Sequence, residues 1–158
     1  MNPTADDAFF MKAALLEAQE AFSAGEVPIG AVAVENGIII ARGRNRVEEC
    51  SSVSCHAEFE VIRMVEKLRG DWRMQGITIY VTKEPCPMCA GMLVNSRVSR
   101  IVFGLTDSKT GGCGGAIDIP AMPENLWHPE VTGSVLADES LKLIQQFFQN
   151  RRQKHEKN

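Results

Sequence analysis

Apolar residues recur at helical spacing from the start of the chain. Phe9, Ala13, Leu16 and Glu20 fall on one line, flanked by Met11, Ala14, Ala18 and Phe22. This pattern predicts a helix over residues 6–24, with Phe9 and Phe22 in the core. Thr4-Ala5-Asp6-Asp7 reads as its capping box, and Gly25 ends it. A turn over residues 25–30 leads to a short strand at 31–34. Asn36-Gly37 signals a hairpin, and residues 38–45 return as the second strand. On that strand Arg42, Arg44 and Arg46 share one face, while Asn45 points the other way. Residues 47–55 lack periodicity and read as a loop. Phe59, Ile62, Val65 and Leu68 then mark a helix over 57–68, closed by Gly70, with His56 at its first turn. The β-branched run at 77–82 is a buried strand. Pro87 suits the first turn of a helix that runs to about residue 96. A strand follows at 98–104. Residues 106–123 hold Gly111, Gly112, Gly114 and Gly115 around Cys113 and read as a mobile loop. A short strand at 130–135 and a helix at 137–152 close the chain. That helix carries Leu141, Ile144 and Phe148 on one face, with Phe147 beside them.

Strands alternating with helices argue for one α/β domain spanning residues 1–158: a three-layer α/β/α sandwich around a mixed sheet of about five strands. A length of 158 residues, 44% hydrophobic and 23% charged, supports a sizeable core. No apolar run nears the roughly 18 residues of a membrane span, and the polar, acidic start does not resemble a secretory signal. Five cysteines make a disulfide framework improbable and point to a reducing cytoplasm. Net charge is −3, so the overall balance announces no nucleic-acid partner. The charge is uneven, however. Arg42, Arg44 and Arg46 cluster, and residues 151–158 carry Arg151, Arg152, Lys154 and Lys157 against one Glu. No Gly-Lys-Ser/Thr loop is present, and no organic cofactor is implied.

The chemistry concentrates in two short motifs, His56-Ala57-Glu58 and Pro85-Cys86-Pro87-Met88-Cys89. Two cysteines three apart place both sulfurs on one side of a turn entering a helix. His56 supplies a third ligand. Such a His/Cys/Cys set leaves one tetrahedral position open, as in catalytic rather than structural zinc sites. Both helix starts favour the thiolate forms of Cys86 and Cys89. Zinc brings the pKa of a bound water to roughly 7. Glu58, two residues past His56, is placed to carry protons between that water, a ring nitrogen and a leaving amine. Glu84 is the rival carboxyl. A closed zinc knuckle would need a fourth ligand from Cys50, Cys55 or Cys113.

His-x-Glu followed by Pro-Cys-x-x-Cys is the signature of zinc-dependent nucleobase deaminases. On these residues the chain resembles the cytidine deaminase superfamily. More narrowly, it resembles the bacterial tRNA-specific adenosine deaminases. The narrower likeness rests also on Gly25-Glu26-Val27-Pro28-Ile29-Gly30-Ala31-Val32, Gly43-Arg44-Asn45-Arg46, Val102-Phe103-Gly104, Asp107-Ser108-Lys109-Thr110-Gly111, Leu136-Ala137-Asp138-Glu139, and Phe147-Phe148 with Arg151-Arg152. Together these cover residues 9–153. The resemblance implies a cytidine deaminase-like fold, one Zn²⁺ per subunit on His56, Cys86 and Cys89, and Glu58 as proton carrier. It implies that Asn45 holds the purine, and it assigns Val27, Pro85, Asp107, Phe148, Arg151 and Arg152 to substrate binding. The implied reaction is hydrolysis of adenosine to inosine at the wobble position of a tRNA anticodon loop, with release of ammonia, by a homodimeric hydrolase. The basic tail and Lys109 then contact phosphate. Two departures border the pocket. Ser52-Val53-Ser54-Cys55 stands where the family usually has Asp-Pro-Thr-Ala, and Lys83 stands where an apolar residue is common. They leave a free base or nucleoside of the guanine, cytosine or adenine type as the alternative substrate, and a non-catalytic zinc-binding RNA module behind that.

Overall fold

The computed structural model describes residues 3–157; Met1 and Asn2 of the polar start and Asn158 of the basic tail lie outside them. The element order is α1 (Ala5–Ser23), β1 (Gly30–Glu35), β2 (Ile38–Arg44), α2 (Val47–Cys50), α3 (Ala57–Arg69), β3 (Ile77–Lys83), α4 (Pro87–Asn95), β4 (Arg100–Leu105), β5 (Glu130–Thr132) and α5 (Ala137–Glu156). One sheet runs β2-β1-β3-β4-β5. β1 pairs antiparallel with β2 and β3, whereas β3, β4 and β5 are parallel, so the sheet is mixed.

The sheet has two apolar faces, which explains the unbroken run in β3. Ile77, Ile79 and Val81 point to one side, among Val61, Ile62 and Val65 of α3 and Ala90 and Leu93 of α4. Tyr80 points to the other, against Phe10, Met11 and Ala14 of α1. Period-2 alternation of β-branched residues buries both faces only when helices cover both. The three layers follow.

Helix α1 has its expected capping box, Thr4 accepting from the Asp7 N–H and the Asp7 carboxylate accepting from the Thr4 N–H. Its rotation differs from the expectation. Phe10, Met11, Ala14, Leu15, Ala18 and Ala21 face the sheet, while Phe9 is 66% exposed. Asp7 is the cause. It is fully buried, bound by Arg100 at 2.7 Å and by the Tyr80 hydroxyl at 2.9 Å. Residues three, four, seven and eleven positions after Asp7 therefore turn inward. Phe22 is half-buried, its ring 5.8 Å from that of Phe147.

Three other expectations need correction. The segment after β2 contains the short helix α2, which brings Glu49 back over the strand end. There Glu49 pairs with Arg44 at 2.9 Å and with Arg46 at 3.1 Å, and Arg46 also reaches Glu60. Arg44 and Arg46 thus form an ion-paired cluster rather than an open basic patch. On α5 the buried aromatic is Phe147, and Phe148 is 41% exposed. The glycine-rich loop is pinned by hydrogen bonds, as described below.

Candidate active site

Two helices begin at the same place. His56 is the N-cap of α3 and Cys86 the N-cap of α4, both with extended backbone. Pro87 follows Cys86 at the first helical position, where its fixed φ fits and no N–H is needed. Cys89 lies one turn into α4 and is buried. The site forms at the carboxyl end of β3, where open α/β sheets place their ligands.

His56 Nδ1 lies 3.7 Å from Cys86 Sγ and 3.4 Å from Cys89 Sγ. All three ligand atoms fall within 4.8 Å of one another. Zn–S bonds of about 2.3 Å and Zn–N bonds of about 2.0–2.1 Å at tetrahedral angles put neighbouring ligand atoms roughly 3.6–3.8 Å apart. The donor set therefore fits one zinc ion with one corner left open. Cys50, Cys55 and Cys113 do not join the group. Hydrogen bonds from the Cys89 thiol, from His56 and from the Cys89 N–H outweigh burial and bring the Cys86 thiol down to about 4. The same bond to Cys86, with burial, pushes the Cys89 thiol up. The hydrogen bond to Cys86 raises the pKa of His56 above the ordinary histidine value.

Glu58 is the second residue of α3 and only 4% exposed. Burial raises its pKa above the ordinary carboxyl range. It faces a cavity of about 70 Å³ bounded by Asn45, His56, Lys83, Glu84 and Cys86. This cavity shares Ile29, Asn45 and His56 with an outer groove of about 240 Å³, which adds Val27, Glu48 and Arg151. A larger cavity of about 310 Å³ lies between Trp72 and Trp127 at the far end of α4 and includes none of the three ligands.

Asn45 sits one residue past β2, buried at the junction of cavity and groove. Its Nδ2 donates to the Val27 carbonyl and its Oδ1 accepts from the Val47 N–H, each at 3.3 Å. One donor and one acceptor of this amide remain unused among the described residues. Val27 contributes its carbonyl here. Pro85 is buried, and its carbonyl accepts from the Gly112 N–H at 2.7 Å. Arg151 reaches the groove with its guanidinium over the Phe147 ring. Arg152 is exposed on α5, and Phe148 lines neither cavity nor groove.

Three roles were not legible in advance. Glu84 is buried, and its carboxylate accepts the backbone N–H groups of Asp107 at 2.8 Å, Cys113 at 2.9 Å and Gly115 at 2.7 Å. It is the anchor of the glycine loop, and Glu58 is the other buried carboxyl that lines the cavity. The glycines serve close approach: a Cβ at Gly111 would lie 2.3 Å from Glu84 Cδ, and one at Gly115 2.2 Å from the Asp107 carbonyl oxygen. Glu26 is buried and accepts the N–H groups of Glu48 and Glu49, capping α2 from across the groove. Lys83 pairs with Asp107 at 2.6 Å. No local sequence signal links these partners, which lie more than 20 residues apart.

The MafB19-like deaminase family model matches residues 5–152. The tRNA-specific adenosine deaminase of Bacillus subtilis (strain 168) is 47% identical over 149 residues, covering 94% of this chain and 92% of that relative. A solved structure from work on A-to-I editing by tRNA:A34 deaminases at the wobble position of transfer RNA superposes with a TM-score of 0.83. It is 39% identical and covers 85% of this chain and 98% of that one. A guanine deaminase from Bacillus subtilis matches with a TM-score of 0.58 at 36% identity, over 61% of this chain and 62% of its own. This chain belongs to the MafB19-like deaminases and, within them, to the family of tRNA-specific adenosine deaminases.

Proposed function

We propose that this chain is a single-domain, zinc-dependent hydrolase that converts adenosine to inosine at the wobble position of a tRNA anticodon and releases ammonia. The observation that carries this reading is the three-ligand His/Cys/Cys group facing a cavity with a buried carboxyl and an oriented amide. It occurs in a chain 47% identical to a tRNA-specific adenosine deaminase. Zinc held by His56, Cys86 and Cys89 supplies Lewis acidity and an activated water.

The chain's own residues do the rest. Asn45 orients the purine with its remaining donor and acceptor. Glu58 takes a proton from the attacking water and delivers it to the ring nitrogen beside C6. It then carries the second proton to the 6-amino group, which leaves as ammonia. One water is consumed, its oxygen becoming the inosine carbonyl. Burial raises the proton affinity of Glu58, which suits transfer in both directions. An anticodon loop offers a base that is cheaply splayed into such a pocket. Arg151, Arg152, Lys154 and Lys109 are exposed and serve phosphate contact. A second copy of the chain completes the RNA groove and covers Met64 and Leu68 of α3 and Met88 of α4, all exposed apolar residues. The enzyme works in the cytoplasm, where tRNA is found and the ligand thiols stay reduced.

The test is inosine formation and ammonia release with an anticodon stem-loop, run beside free adenosine, adenine, guanine, cytosine and cytidine. Turnover of the stem-loop above all free compounds is expected. Turnover of guanine without RNA activity would favour the second reading, which the likeness to the Bacillus subtilis guanine deaminase supports.

A further inference from the structure

Lys83 ends β3, three positions before Cys86, and lines the same cavity as His56, Glu58 and Cys86. Its side chain is 27% exposed, which puts the ammonium at the rim rather than in the core. The ammonium lies 2.6 Å from Asp107 Oδ2. The Asp107 carboxylate is otherwise fully engaged. Its Oδ2 accepts the Thr110 hydroxyl at 2.6 Å, and its Oδ1 accepts the N–H groups of Lys109 at 2.9 Å and Thr110 at 3.0 Å. These donors hold the Asp107 carboxylate in place beside the cavity. Its own N–H is held by Glu84, the residue that leads into Pro85-Cys86. The pair therefore belongs to the scaffold of the cavity rim.

An ammonium has three N–H donors, and Asp107 uses one. With an apolar residue at position 83, the same Asp107 would present an uncompensated negative charge at the rim. With Lys83, that charge is matched and two donors remain. A polynucleotide that feeds one base into the cavity must bring its own phosphates past the rim, whereas a free base brings none. Resting on the RNA reading above, we propose that Lys83 is a further substrate-binding residue and a determinant of substrate class. Clamped on Asp107, it gives its remaining donors to a phosphate oxygen next to the base being deaminated.

The test uses the zinc-loaded Glu58→Gln protein, slowed in turnover so that binding can be read, and a fluorescent anticodon stem-loop titrated at several salt concentrations. Adding Lys83→Leu should raise the Kd about tenfold at low salt and lower the slope of log K against log salt by about one. Adding Lys83→Arg should keep the slope. Unchanged Kd and slope in K83L would overturn the proposal. So would a K83R protein that loses affinity and slope as K83L does, since the cation at position 83 would then not be what binds. The milder K83Q, read beside K83R, decides the matter if melting curves show that K83L is misfolded. Failure of the E58Q protein to bind any stem-loop would overturn the RNA reading itself, a separate outcome.

Discussion

Replacing Glu84 with Gln separates scaffold from chemistry among the carboxyls at the cavity. Glu84 Oε1 accepts the N–H groups of Cys113 and Gly115, and Oε2 accepts that of Asp107. A Gln keeps one oxygen. Turned toward Cys113 and Gly115, it leaves an NH₂ facing the Asp107 N–H. One bond to a charged acceptor disappears, worth about 1.5–3 kcal/mol, and a donor left without an acceptor costs about 1–3 kcal/mol. The two surviving bonds lose their charge assistance. A loss of about 3 kcal/mol is expected, which at 2–4 °C per kcal/mol for a chain of this size is a melting temperature lower by about 6–12 °C. Thermal melts of zinc-loaded wild type, E84Q and E58Q measure it, with hydrogen exchange at Asp107, Cys113 and Gly115 as the local readout. E58Q swaps a buried carboxyl with a disfavoured charge for a neutral amide, so it should show no comparable loss. If E84Q loses less than about 1 kcal/mol and those amides exchange as in wild type, Glu84 is not the anchor of the loop.

Three further predictions address other parts of the molecule. Burial alone would raise the pKa of Asp7, but hydrogen bonds from Arg100, the Thr4 N–H and Tyr80 override it and bring the value from 3.8 to about 2. That difference contributes about 2 kcal/mol of stability, present in full above pH ~4 and lost as pH falls to about 2. Urea melts should therefore show a shallower acid loss between pH 4 and 2 for D7N than for wild type, and parallel losses would refute it. Cys50→Ser should leave zinc content at one per chain, since the exposed Cys50 is outside the ligand group. Loss of zinc by atomic absorption would make Cys50 a ligand. Removing residues 151–158 should weaken stem-loop binding and flatten its salt dependence, because Arg151 reaches the groove and Arg152 and Lys154 are exposed beside it. An unchanged slope would leave the tail without a phosphate role.

The convergence of His56, Cys86 and Cys89, and the place of Glu58 on the same cavity, were legible because each is tied to a local signal. His56 and Cys86 occupy helix starts, and Pro87 and the three-residue cysteine spacing fix the second helix. The sheet was legible from β-branched runs and Asn36-Gly37. What escaped depends on long-range pairing of charge with backbone or charge with charge. A buried Asp7 cannot be foreseen without Arg100 and Tyr80, 93 and 73 residues away, so periodicity alone turns α1 the wrong way and puts Phe9 inside. The glycine loop looked mobile because glycine signals freedom by default, whereas here it permits backbone to close on Glu84. Charge alone leaves Arg44 and Arg46 open between a basic patch and a solvated face, because α2, which returns Glu49 to them, has no periodicity of its own and takes its cap from Glu26.

The most direct measurement is single-turnover deamination of the anticodon stem-loop by E58Q, with zinc quantified in the same sample. One zinc per chain with a rate lowered about 10²- to 10⁴-fold is the predicted result. Wild-type turnover in a zinc-loaded E58Q protein would contradict the placing of Glu58 beside the open corner of the metal site.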